Sequence, residues 1–113
     1  MKIEETLQQD VSCINLNGRF DANTSDAVEN FIRERIEKGR SQFVLNMKNV
    51  SFISSAGLRV VIIIARELRN EYQGDLHIAA LQPSVNRVFE ISGLNNILKM
   101  FDDEQAAGEA FSK

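Results

Sequence analysis

Between residues 50 and 58 the chain reads Val50-Ser51-Phe52-Ile53-Ser54-Ser55-Ala56-Gly57-Leu58. Residues 50–53, apolar except for Ser51, are typical of a strand, and residues 58–72 carry the apolar spacing of a helix. The two serines between them offer a hydroxyl that accepts a hydrogen bond from a free backbone N–H in the first turn of the helix. A strand that runs directly into a capped helix is the building unit of α/β folds.

The helix that follows this segment has more apolar residues than one buried face requires. Residues 60–65 are all apolar, whereas a face packed against a sheet needs only positions 58, 61, 62, 65 and 68. One of the apolar residues Val60, Ile63 and Ile64 is therefore more than the buried face requires. An exposed apolar strip on this helix suits a docking surface, and burial under another helix explains the surplus nearly as well.

Outward from this segment, strand-like and helix-like patterns alternate along the chain. Residues 11–17 alternate so that Ile14 and Leu16 share one buried side, and we expect Gly18 to end this strand. A turn is expected at residues 48–49. The predicted order is a hairpin of strands 3–8 and 11–17, a helix from Ala22, strands 43–45 and 50–53, the helix 58–72, strand 76–81, a helix from Pro83, strand 97–101 and a helix over 103–111. In the first of these helices the apolar residues that recur at helical spacing are Ala27, Val28, Phe31, Ile32 and Ile36. This order predicts an α/β fold with a mixed sheet of four to five strands and about four helices.

The size and charge of the chain indicate a single domain and argue against a nucleic-acid-binding or membrane-spanning protein. The chain has 113 residues, 43% of them apolar and 26% charged, which predicts a single domain over residues 1–113. Its net charge of −3 opposes binding to nucleic acid. No uncharged run is long enough to span a membrane, and the first ten residues lack the apolar centre of a signal peptide. We therefore expect a soluble, cytoplasmic protein that is a monomer or a weak dimer.

Residues suited to catalysis are scarce. The only histidine, His77, lies inside an apolar strand, where a structural role is expected, and the single cysteine, Cys13, excludes an intramolecular disulfide. The serine pair does not fit the Gly-x-Ser-x-Gly motif, and the glycines match no phosphate-binding loop. We expect no enzymatic activity, no cofactor and no metal. Asp21, in a turn beside Arg19 and Phe20, is either a charge that favours the following helix or a site residue.

Four segments resemble the STAS domain of bacterial anti-sigma factor antagonists, also called anti-anti-sigma factors. They are the turn Leu16-Asn17-Gly18-Arg19-Phe20-Asp21, the strand Phe43-Val44-Leu45-Asn46-Met47, the signature at residues 50–58 and the helix with its exit at residues 83–94. The family signature is Asp-Ser-Ser/Thr/Ala-Gly-Leu, and Ser54 stands where the family has the aspartate.

The resemblance implies partner switching. The unmodified protein would bind an anti-sigma factor that is also a serine kinase and so free a sigma factor. Phosphorylation would release it, and a serine phosphatase would reset it. By position the acceptor is Ser55, with Ser54 as the second choice. Arg59, one turn later on the same face, is either a ligand of that phosphate or a solvated arginine. The implied partner-binding residues are Asp21, Ser54, Ser55, Gly57, Arg59, Val60 and Ile63.

Two other classes of function stay open at this point. A STAS module that never cycles, acting as a constitutive scaffold or as a subunit associated with a transporter, fits the serine at position 54. A small enzyme or ligand-binding α/β domain is the third possibility, although no base, metal cluster or phosphate loop supports it.

Overall fold

The computed structural model describes residues 1–112, so Lys113, the last residue of the predicted domain, lies outside it. The regular elements are, in chain order, β1 (Lys2–Gln8), β2 (Val11–Phe20), α1 (Ser25–Glu37), β3 (Gln42–Ile53), α2 (Ser55–Glu71), β4 (Asp75–Ala79), α3 (Pro83–Ile91), a 3₁₀ turn (Leu94–Asn96), β5 (Lys99–Phe101), α4 (Glu104–Glu109) and a final 3₁₀ turn (Ala110–Ser112). Among these helices, none has the length and apolar content needed to cross a membrane.

The five strands form one mixed sheet in the order β1-β2-β3-β4-β5. β1 is antiparallel to β2, and every later pair is parallel. The predicted hairpin, the helical crossovers and the α/β class are thereby confirmed. Since consecutive parallel strands are neighbours, right-handed crossovers place α1, α2 and α3 on the same face of the sheet, and residues from all three helices join one buried cluster.

The opposite face of the sheet is covered in part by α4. A smaller cluster forms there from Val11, Cys13, Val44, Ala79 and Ala107. Cys13 is fully buried on the side of β2 opposite Ile14 and Leu16, so the expectation that β2 hides one face only is wrong for its first half. α4 is six residues long and buries only Ala107 and Gly108, so no apolar stripe in the sequence marks it as a cover of the sheet.

Two strands are longer than the sequence predicts. β2 continues through Gly18 to Phe20, and β3 runs without the expected turn at Lys48 and Asn49. The pairing of β2 with β3 shifts register between Asn15 and Asn17 and again after Gly18. Gly18 has φ +125°, which a glycine adopts at little cost. These β-bulges break the alternation by which strands are recognised, so the pattern suggested an end and a turn.

Boundaries elsewhere differ by a few residues. The predicted strands 76–81 and 97–101 are observed as β4 and the shorter β5. β5 starts later because Ile97 has helical backbone angles and ends the preceding 3₁₀ turn. The last helix begins after Asp103, whose carboxylate accepts the N–H of Ala106 at 2.8 Å, and gives way to a 3₁₀ turn at Ala110.

Candidate functional site

The two serines differ in what their hydroxyls do at the start of α2. Ser54 is the N-cap residue, and its Oγ accepts the N–H of Gly57 at 3.4 Å. Ser55 is the first residue of the helix and is exposed. Its hydroxyl forms none of the hydrogen bonds found within residues 1–112. The cap predicted for this segment is therefore supplied by Ser54, and Ser55 is left with an exposed hydroxyl.

The start of α2 is fixed by contacts with the ends of β2 and β3. The N–H of Ser54 donates to Phe20 O at 3.0 Å. Gly57 is buried so closely against β2 that a β-carbon would lie 2.7 Å from the same carbonyl oxygen. Gly57 thus has a packing role, which the sequence did not reveal. Residues two apart are about 200° apart around a helix, so Ser55 points away from this contact.

An open groove of about 650 Å³ lies between α1 and α2 and reaches Ser55. Its α1 side is formed by Ala22, in the loop before α1, and by Ser25, Asp26 and Glu29 of the helix. Its α2 side is formed by Ser55, Ala56, Arg59, Val60 and Ile63. Four predicted partner-binding residues are thereby brought together. The apolar strip that was expected to be exposed is mostly buried, since Val60 is only 5% exposed and forms part of the groove's floor. Ile63 is half-buried and Ile64 fully buried.

Charges of opposite sign face each other across this groove. Glu29 on α1 accepts a hydrogen bond from Arg33 Nε at 2.9 Å, and Arg33 also contacts Glu67 at 2.7 Å. Asp26 and Arg59 form none of the ion pairs found within residues 1–112, and both are exposed. Each is therefore available to a charged group that enters the groove.

Asp21 lies outside the groove and organises the loop between β2 and α1. Its Oδ1 accepts the N–H of Asn23 at 3.0 Å, and its Oδ2 lies 3.5 Å from Arg19 Nε. The Arg19 guanidinium in turn sits 4.2 Å from the ring centroid of Phe52. Thr24 is the N-cap of α1, but its hydroxyl bonds within the loop, to Asp21 N–H and Arg19 O. Asp21 thus neighbours the signature without touching Ser55.

Comparison with known proteins identifies the family. The family model of the STAS domain matches residues 2–107. The chain belongs to the STAS domain family. Its curated relatives include BtrV of Bordetella bronchiseptica, provisionally named an anti-sigma factor antagonist, which is 38% identical over 96 residues that cover 85% of this chain and 82% of BtrV.

A second relative supports this assignment, and a solved structure shares the fold. The anti-sigma F factor antagonist of Paenibacillus polymyxa is 32% identical over 105 residues, which cover 92% of this STAS chain and 89% of the relative. The structure of a protein from Thermotoga maritima, provisionally described as an anti-sigma factor antagonist, superposes with a TM-score of 0.92. It is 20% identical, with 98% of this chain and 95% of that chain covered, and so shows that the fold is shared.

Other reactive side chains of this STAS domain lie away from the groove. His77 is buried on β4, where Nδ1 is 2.8 Å from Ala107 O and the ring stacks on Phe111 at 3.7 Å. Burial lowers the pKa of His77 below its usual value. Burial also raises the pKa of the Cys13 thiol, to about 11. Within residues 1–112 no cluster of three or more His, Cys, Asp or Glu side chains could hold a metal ion.

The acidic side of the groove was missed by sequence reasoning. Asp26 and Glu29 are three residues apart on α1 and so share a face, which is a signal that the sequence contains. Many solvated helices carry such pairs. This acidic face therefore indicates a site only once α1 is known to lie beside the first half of α2.

Proposed function

We propose that this protein is a non-enzymatic anti-sigma factor antagonist controlled by phosphorylation of Ser55. Its unmodified form binds an anti-sigma factor that is also a serine kinase, and so frees a sigma factor. Phosphorylation of Ser55 by that kinase ends the binding, and a serine phosphatase restores it. Membership of the STAS family and the names of the two curated relatives support the first part of this proposal.

The observation that carries the phosphorylation step is the free, exposed hydroxyl of Ser55. Ser54, the alternative acceptor, is half-buried and its Oγ is engaged by Gly57 N–H. A kinase needs access to the acceptor oxygen from outside, which Ser55 offers at the rim of the groove. We propose that the docking surface comprises Asp21, Ser54, Ser55, Arg59 and Ile63, with Gly57 and Val60 supporting it from beneath.

A phosphate on Ser55 is compatible with the stability of the fold but weakens binding at the interface with the partner. It carries a charge of about −1.5 to −2, and at a helix N-terminus the dipole favours it by about 0.3 to 2 kcal/mol. Across an interface the same group must lose water or face like charge, which costs several kcal/mol. Since each ~1.4 kcal/mol lowers affinity tenfold, the complex dissociates although the domain keeps its structure.

The test uses the purified protein, ATP and an anti-sigma factor of the serine-kinase class encoded in the same genome. Mass spectrometry should find one phosphate, located on Ser55. Ser55→Ala should abolish it, and the matched control Ser54→Ala should retain it. Binding measured by calorimetry should weaken at least tenfold when Ser55 is phosphorylated. A protein left unmodified at both serines would refute the switch.

A second candidate function is a STAS module that never cycles and serves as a constitutive scaffold or as a subunit associated with a transporter. It is favoured by one observation, the serine at position 54 where the family signature has an aspartate. Under this alternative the protein remains in a stable complex whose affinity is unaffected by Ser55→Asp. The same binding measurement therefore separates the two candidates.

A further inference from the structure

Arg59 occupies a position from which it can contact either a phosphate on Ser55 or a group of the bound partner. Residues four apart on a helix have β-carbons about 5 to 6 Å apart on the same face, and both side chains line the groove. Arg59 is exposed and takes part in none of the ion pairs within the described residues. Its guanidinium is therefore an unused cation beside the proposed acceptor.

The opposite side of the groove does not neutralise this cation. Of its two carboxylates, Glu29 is held by Arg33 at 2.9 Å, and Asp26 does not reach across to Arg59. The α2 side thus combines Arg59 with the positive end of the helix dipole, above an apolar floor that includes Val60 and Ile63. A carboxylate next to an apolar side chain is the partner chemistry that complements the α2 side, whereas the exposed Asp26 on the α1 side favours a basic group there.

The direction of the proposed switch also favours a negatively charged group on the partner. If the partner placed a lysine or an arginine at Ser55, the phosphate would attract it and strengthen the complex. A partner carboxylate gives the opposite result, because the phosphate both repels it and takes over its cation. This step rests on the proposed function, in which phosphorylation weakens binding.

We propose that Arg59 is an exchange cation: it binds an acidic side chain of the anti-sigma factor when Ser55 is unmodified and the phosphate when Ser55 is phosphorylated. The groove accordingly accepts a segment of the partner that carries a carboxylate for Arg59 and an apolar side chain against Val60 and Ile63. Phosphorylation releases the partner by competition for one guanidinium as well as by repulsion.

The phosphate contact is tested without any kinase or partner. Phosphoserine is encoded genetically at residue 55, and the ³¹P signal is followed through a pH titration of the wild type, Arg59→Gln and Arg66→Gln. Arg66 is the matched control, an exposed arginine of the same helix that does not line the groove. The second phosphate pKa should be higher in Arg59→Gln by about 0.2 to 0.7, and this difference should shrink in about 1 M salt. Equal values in all three proteins would overturn the contact.

The partner contact is tested with the unmodified protein and the purified anti-sigma factor. Arg59→Glu should weaken binding at least tenfold, whereas the control Arg66→Glu should not. A lysine in place of one acidic residue of the anti-sigma factor should restore the affinity of Arg59→Glu. Binding of Arg59→Glu at wild-type affinity, or rescue by reversal of a basic residue instead, would refute the exchange. Absence of binding by the wild type would refute the proposed function and the exchange with it, while the titration would still report the phosphate contact.

Discussion

Replacing Gly57 by alanine tests whether α2 is held against the end of β2 by a contact that leaves no room for a side chain. The new β-carbon would lie 2.7 Å from Phe20 O and 2.8 Å from Ile53 Cγ1. Phe20 O is a main-chain atom that also accepts the N–H of Ser54 at 3.0 Å. It cannot move aside alone, so the substitution should push the first turn of α2 away from the sheet.

The expected loss of stability follows from two opposing effects. Overpacking of a close contact costs about 1 to 3 kcal/mol, and the fixed main chain favours the upper half of that range. The gain in helix propensity from glycine to alanine returns about 1 kcal/mol. The free energy of unfolding should therefore fall by about 1 to 2 kcal/mol, which lowers the melting temperature by roughly 4 to 8 °C in a chain of this size.

Gly108→Ala is the matched control, because Gly108 is also a buried helical glycine. There the nearest atoms belong to the end of the Gln8 side chain, which can rotate away, so stability should stay the same or rise by up to about 1 kcal/mol. Urea unfolding followed by circular dichroism measures both variants. A Gly57→Ala protein as stable as the wild type, or equal losses in the two variants, would show that the proposed close contact does not limit position 57.

Three further predictions concern single side chains. Burial lowers the pKa of His77, and Ala107 O and Asp75, which raise it, have smaller effects. Below about pH 6.5 the unfolded chain therefore binds a proton that the folded chain does not bind. The free energy of unfolding should fall as the pH drops through this range. His77→Gln should flatten the urea-midpoint profile between about pH 7 and 5, and an unchanged slope would contradict this. Cys13, buried and with its pKa raised to about 11, should react with iodoacetamide only after unfolding in urea; fast labelling of the folded protein would be the contrary result. Ser54→Ala should cost about 0.5 kcal/mol of stability by urea unfolding, because its capping bond is long at 3.4 Å, and an undetectable loss would mean that the bond contributes nothing.

Much of the fold could be predicted because local patterns and global packing agree. Val28, Ile32 and Ile36 recur at helical spacing, and all three are buried where α1 meets the sheet. The strands were predicted too short wherever bulges interrupt the alternation, as at Gly18 and before Val50. A bulge depends on how the neighbouring strand pairs, so it leaves no periodic signal in the sequence.

Only the part of the candidate site that lies within one continuous sequence segment could be predicted. Ser55 could be singled out because it lies within the signature, and Arg59 because it follows one turn later. The groove and its acidic side require knowledge of how α1 lies beside α2, which no local pattern contains. The role of Gly57 was missed for the same reason, since the group that excludes a side chain is the carbonyl of Phe20, 37 positions away by residue number.

The geometry of the first turn of α2 predicts that a charge can be added there without disturbing the fold. At about 100° per residue, Gly57 lies about 200° from Ser55, whereas Arg59 lies about 40° from it. The tight contact with Phe20 therefore holds one side of the turn rigidly, and the opposite side carries the hydroxyl and the cation together. A phosphate on Ser55 increases the negative charge at the groove without entering the packed interface. The phosphorylated protein should accordingly melt at or slightly above the temperature of the unmodified one, as a favourable interaction with the helix dipole requires. A large drop in melting temperature would mean that the modification acts by unfolding the start of α2, and the electrostatic account of the switch would be wrong.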